Sequence, residues 1–243
     1  MEKNKDHNHN HHHNNSHTEM EQIQEIHHKH SIYDELACHL PYAVFSVALS
    51  LIVLSLLGFI GVGKDPKQLR CLWDQLFHNF HFVHIIFASV GTLITFFRFS
   101  TNLLRGLVVG FFSASIFCIL SDIVLPYIGG VILGVDMHLH VCFLYELHNV
   151  LPFLIVGLIT GVVMRSHQLE VRGYFSLWSH FAHIFISALA SSFYLVSHGF
   201  SDWASSIGYV FLVLLLSVVI PCTLSDIVIP MTFARSGKKH EKH

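Results

Sequence analysis

Apolar residues along this chain fall into six runs, each closed off by a short stretch of polar or charged positions. The runs cover about 41–63, 78–98, 103–133, 143–164, 175–197 and 204–231. An α-helix needs roughly 20 apolar residues to cross a ~30 Å hydrocarbon layer, so the pattern predicts six transmembrane helices. The third and sixth runs are longer than a crossing requires, and each holds proline close to an aspartate: Asp122 with Pro126, Asp226 with Pro230.

Three kinds of segment occur twice, in matching places. "ELACHLPY" at 35–42 is answered by "ELHNVLPF" at 146–153, "HFVHI" at 81–85 by "HFAHI" at 180–184, and "LSDIVLP" at 120–126 by "LSDIVIP" at 224–230. The offsets are 111, 99 and 104 residues, differences that loop lengths absorb. A three-helix unit has been duplicated. Because three is odd, the second copy must enter the membrane from the opposite face, which is the inverted-repeat plan of many secondary transporters. The expected fold is therefore an all-α integral membrane protein of six transmembrane helices in two inverted three-helix repeats. Residues 1–30 form a disordered His-rich tail, 31–134 the first repeat, 135–232 the second and 233–243 a basic C-terminal tail.

Composition agrees with membrane residence. Hydrophobic residues make up 52% of the chain and charged residues 12%, and the mean hydropathy is +0.54. Of the 14 Lys and Arg residues, 11 fall in the tails and the 98–105 and 165–172 connections, and only Lys64, Lys67 and Arg70 on the other side. Basic loops stay cytoplasmic, so both termini are expected there. A net charge of −2 without a basic stripe gives nucleic acid no electrostatic footprint. The polar N-terminus does not have the form of a cleaved signal. "GFIGVGKD" at 58–65 has phosphate-loop spacing, but Asp65 stands where a Ser or Thr must bind Mg²⁺ and the stretch ends a membrane helix, so no ATP site is expected. The five cysteines form no CxxC pair and read as packing residues. Gly157 and Gly161 read as a close-packing GxxxG pair.

Ionisable groups inside a bilayer are costly and usually face a partner or a pathway. His81 and His84, and likewise His180 and His183, lie three apart and share a helix face; His78 extends the first stripe. Assigning depth by position along each span gives one station at the inner side, from Glu35, His39, His180, His183 and Asp226. A second, outer station collects His78, His81, His84, Asp122, Glu146 and His148. Asp136, His138 and His140, in the connection between the third and fourth spans, form a secondary vestibule. Carboxylates with imidazoles suit a divalent transition ion, Zn²⁺ first and then Fe²⁺, Mn²⁺, Co²⁺ or Ni²⁺, rather than Ca²⁺ or Mg²⁺. Proline frees the carbonyl one turn earlier, which is the aspartate's own, so broken helices are expected at both SDxxxP segments. Nine histidines between His7 and His30, and two more in "KKHEKH", would gather cations beside the inner gate.

These features point to a secondary carrier of divalent metal ions working by alternating access, with protons as counter-ions. Its partners would be the metal ion and the lipid bilayer, with a homodimer left open. The competing readings are an integral-membrane metalloenzyme acting on a lipid, and a metal sensor without flux.

Overall fold

Six long helices carry the described residues. The structure, a computed structural model, describes residues 32–167 and 174–240, with side chains over 40–165 and 180–236. Residues 38–243 form one compact unit, to which everything below refers. The N-terminal tail and the side chains of Glu35 and His39 lie outside the described residues.

Helix α1 is Ile32–Ile60, α2 Pro66–Phe99, α4 Leu147–His167 and α5 Tyr174–Ser197. Helix α3 runs Leu103–Ile119, passes through a π-helical turn at Leu120–Val124 and continues as Leu125–Ile132. Helix α6 runs Ile207–Thr223, passes through a second π turn at Leu224–Val228 and continues as Ile229–His240. All six are long and apolar enough to cross a membrane, and no strand occurs among the described residues.

The sequence reading of α2 needs correction. It starts 12 residues before the expected 78, because Asp65 caps it by accepting from the Lys67 amide at 3.2 Å and Pro66 occupies its first position. Proline there sacrifices no helical hydrogen bond. The look-alike of the phosphate loop is the tight turn joining α1 to α2, with Gly63 at φ +83°.

Helix α2 lies against α3, α4, α5 and the last part of α6. Helices α2 and α5 are the most buried spans, and α4 the least. The approach of α4 to α2 depends on glycine: a Cβ on Gly157 would sit 2.9 Å from Ser89 Cβ, and one on Gly161 2.7 Å from Leu93 Cδ1. Helix α1 meets α5 through the Ser50–Ser192 hydroxyl contact at 3.1 Å and the Phe45–Phe181 ring pair. The first helix of each triplet thus touches the second helix of the other triplet.

Neither SDxxxP segment is a broken helix. Both are π turns inside continuous helices, with Leu125 donating to the Leu120 carbonyl and Ile229 to the Leu224 carbonyl. In that five-residue register the donor missing at Pro126 is felt at Ser121, and the one missing at Pro230 at Ser225, one residue before each aspartate. Hydroxyls from other helices reach those carbonyls. Ser191 on α5 donates to the Ser121 oxygen at 3.1 Å, while Thr92 on α2 and Ser113 on α3 donate to the Ser225 oxygen at 3.1 and 3.2 Å. Gly129 and Gly130 are helical and let α3 approach Val213 of α6 and Met137.

Candidate metal centre

The two π turns bring their aspartates to the histidine stripes of α2 and α5. Asp122 Oδ2 accepts from His81 Nδ1 at 2.8 Å and His84 Nδ1 at 2.7 Å. Its Oδ1 accepts from Ser121 at 2.7 Å and from Ser187 on α5 at 2.9 Å. Asp226 Oδ2 lies 2.7 Å from His183 Nδ1 and 3.9 Å from His180 Nδ1, and its Oδ1 makes no hydrogen bond among the described residues. A carboxylate only accepts, so Nδ1 of His84 and of His183 carries a proton, and in the neutral ring each Nε2 holds a lone pair.

Those two lone pairs face each other. His84 Nε2 and His183 Nε2 are 2.8 Å apart, on helices from different triplets, with both rings buried. Two acceptors at that distance repel unless a proton or a cation lies between them. Cys222 completes a group of three donors, with His84 and His183, whose ligand atoms all lie within 4.8 Å of one another. Cys118 Sγ is 4.0 Å from His84 Nε2. The gap between these groups is lined by His84, Cys118, His183, Cys222 and Ser225, with Ala88 and Phe117.

Several expectations change here. The two stations assigned to opposite membrane faces are not separate: His81, His84, Asp122, His183 and Asp226 form one continuous chain. Depth had been judged from the ends of the expected spans, whereas the 34-residue α2 carries His84 near its middle. Both Asp122 oxygens accept hydrogen bonds, from four donors in all, and Asp122 is not among the residues that line the gap. The donor set facing the gap is imidazole and thiol, not imidazole and carboxylate. Cys118 and Cys222 had been read as packing residues, yet the duplicated motif extends to them: "CILSDIVLP" at 118–126 and "CTLSDIVIP" at 222–230.

A second cluster lies at the other end of the His78–His81–His84 stripe. His78 Nδ1 bonds the Asp74 carbonyl at 2.8 Å, and its Nε2 sits 3.2 Å from Glu146 Oε1. Glu146 Oε1 is also 3.6 Å from His140 Nε2. His78, His140 and Cys142 form another set of donors within 4.8 Å of one another. His140, assigned to the vestibule, therefore joins two residues assigned to the outer station. His148, Asp136 and His138 are exposed, and the His138 amide bonds the His198 carbonyl at 2.9 Å.

Three ionisable groups near this cluster lie outside the spans. Burial, with Glu146 adding to it, pushes the Cys142 thiol up to about 12. Burial would raise Glu146, but the Asn149 hydrogen bond together with His78, His140 and His148 holds it below its ordinary value. Burial lowers His198 to about 4; its ring stacks on Tyr194 at 4.1 Å. Nothing in the sequence pattern had singled out His198.

The chain matches no protein-family model, no curated protein and no solved structure. The functional reading therefore rests on the centre itself.

Proposed function

We propose that the protein is a secondary carrier of a divalent transition-metal ion, Zn²⁺ foremost, that passes between two inverted three-helix repeats by alternating access. The observation that carries this reading is the head-to-head pair His84 and His183, one imidazole from each triplet, each oriented by its own triplet's aspartate. A histidine bonded to a carboxylate through Nδ1 and presenting Nε2 is the usual form of a metal-binding imidazole with its outer-shell partner. Two nitrogens on one tetrahedral Zn²⁺ are about 3.3 Å apart, so the pair needs to open by only about half an ångström. The thiols beside it favour Zn²⁺ over Mn²⁺ and over all-oxygen ions.

Related contacts recur with the roles of the triplets exchanged. Thr92 of the first reaches the Ser225 carbonyl of the second, and Ser191 of the second reaches the Ser121 carbonyl of the first. These pairs keep the offsets of 99 and 104 that relate the histidines and the aspartates. A pseudo-two-fold axis through the His84–His183 contact accounts for both, and a carrier uses such an axis to exchange the roles of its halves. The halves also differ as a one-sided state requires. Asp122 and His81 are fully enclosed, whereas the His180 side chain beside Asp226 is 26% exposed.

Without metal, the 2.8 Å nitrogen pair has the spacing of a hydrogen bond and takes one proton between its lone pairs. Metal displaces that proton and the thiol protons, which couples flux to proton movement in the opposite direction. A lipid-modifying metalloenzyme would need a path for its substrate to donors that are buried on every side.

The test is Zn²⁺ uptake into sealed proteoliposomes with a pH dye in the lumen. We expect saturable uptake with a rise in lumenal pH as protons leave in exchange, reduced at least about 100-fold in both His84→Ala and His183→Ala, in keeping with loss of a ligand that exceeds the loss of an outer-shell partner. Zinc bound with full affinity but never transported would overturn the carrier reading.

A further inference from the structure

We infer that His78, His140, Cys142 and Glu146 form a second, separate metal site for a divalent ion of the Zn²⁺ class. The donors come from two parts of the chain that only the fold brings together: α2 supplies His78, and the connection between α3 and α4 supplies the other three.

The lone pairs are assigned by the same logic as in the central pair. A backbone carbonyl can only accept, so the His78–Asp74 contact puts the proton on Nδ1 and leaves Nε2 as an acceptor. That acceptor lies 3.2 Å from a carboxylate oxygen, yet no hydrogen bond joins them, and Nε2 of both His78 and His140 is buried without a hydrogen-bond partner. With both imidazoles neutral these atoms converge as acceptors, and a bound cation satisfies all of them at once, whereas a proton on His78 would satisfy only the Glu146 pair. Cys142 is buried beside them, and its sulfur completes the donor group. One thiolate and one carboxylate balance a divalent charge at the edge of a low-dielectric span, where an unbalanced charge is costly.

The connection is held in place for this purpose. The His140 amide donates to Tyr194 Oη at 3.2 Å, and the His140 ring stacks on Tyr145 with centroids 5.3 Å apart. Side chains of His78, His140 and Glu146 are partly exposed, unlike the central donors. On α2 the stripe then runs inward, with His81 one step and His84 two steps from His78; three residues advance a helix by about 4.5 Å. His81 Nε2 is buried and without a hydrogen-bond partner on this line. The site is a loading or release position for the central centre, a role that rests on the carrier reading, whereas the binding itself does not.

Co²⁺ distinguishes the two, because thiolate ligation gives an absorption band that the cysteine-free first 30 residues cannot produce. The full chain carrying His84→Ala, His183→Ala, Cys118→Ser and Cys222→Ser is titrated with Co²⁺, and then the same chain with Cys142→Ser or His140→Ala added. We expect the thiolate band to persist in the first, to vanish with Cys142→Ser and to weaken at least about tenfold in affinity with His140→Ala. No band in the first, or a band unchanged by Cys142→Ser, overturns the site. In otherwise unaltered protein, Cys142→Ser should raise the Zn²⁺ concentration for half-maximal uptake. If Co²⁺ binds at Cys142 but the unaltered protein moves no metal, the site stands and the carrier reading falls.

Discussion

Asp122 and Asp226 hold matched positions but are held differently, and that difference is measurable. Four donors converge on Asp122, whereas Asp226 has one short contact, from His183. Asparagine at either position spoils the orientation of its histidine, so Asp122→Asn and Asp226→Asn should each weaken Zn²⁺ binding by about 10- to 100-fold in calorimetric titration. Stability should separate them. Asp122→Asn leaves buried donors without an acceptor, at a cost of about 1–3 kcal/mol, and should lower the unfolding temperature well beyond Asp226→Asn; equal losses would contradict the geometry. His198 makes a pH prediction. Burial lowers its pKa to about 4, with His140 and His78 adding to that and the Tyr194 carbonyl and Asp74 opposing it. The unfolded chain, with an ordinary histidine near ~6.5, then takes up a proton that the folded chain refuses. The stabilisation is complete above ~6.5 and is lost as pH falls toward the folded value. Melting temperatures in detergent should fall between pH 6.5 and 5, and less steeply in His198→Phe, which keeps the ring stack on Tyr194. An unchanged slope would exclude His198 as the cause.

The π turns are the elements that aim the aspartates, and they depend on borrowed donors. Ser191 is the side chain that reaches the Ser121 carbonyl, while Thr92 and Ser113 share the Ser225 carbonyl. Ser191→Ala should therefore cost about 1–2 kcal/mol and Thr92→Val less, as read from chemical denaturation in micelles; the reverse order would refute this assignment. The aspartate-to-proline spacing made a local departure from α-helix legible in the sequence. Its kind was not legible, because these π turns have their free carbonyls satisfied by distant hydroxyls, 70 residues away for Ser191 and 133 and 112 for Thr92 and Ser113. The start of α2 was legible in principle. Asp65 followed by Pro66 is an N-cap signal, but hydropathy alone discounts a turn bearing Lys67, Arg70 and Asp74. Gly157 was read correctly as a packing residue, and Gly157→Leu should cost about 1–3 kcal/mol by overpacking against Ser89 and Ile86.

For the whole molecule, six spans followed from hydropathy, and duplication singled out the histidines and aspartates that meet at the centre, though not its cysteines. Their convergence at one place did not follow, since sequence gives order along a helix but not where two helices cross. Cys118 and Cys222 read as packing residues because apolar surroundings make a cysteine look like filler, although extending the duplicated motif by two residues reaches both. The account's central claim is that a single ion sits between the triplets, bound by His84 and His183 with cysteine sulfur beside them. The most direct measurement is zinc-edge X-ray absorption on the full chain carrying Cys142→Ser, loaded with one equivalent of Zn²⁺. It should show nitrogen at about 2.0–2.1 Å and sulfur at about 2.3 Å, with the sulfur shell lost when Cys118→Ser and Cys222→Ser are added. A first shell of nitrogen and oxygen alone, unchanged by those substitutions, would contradict the account.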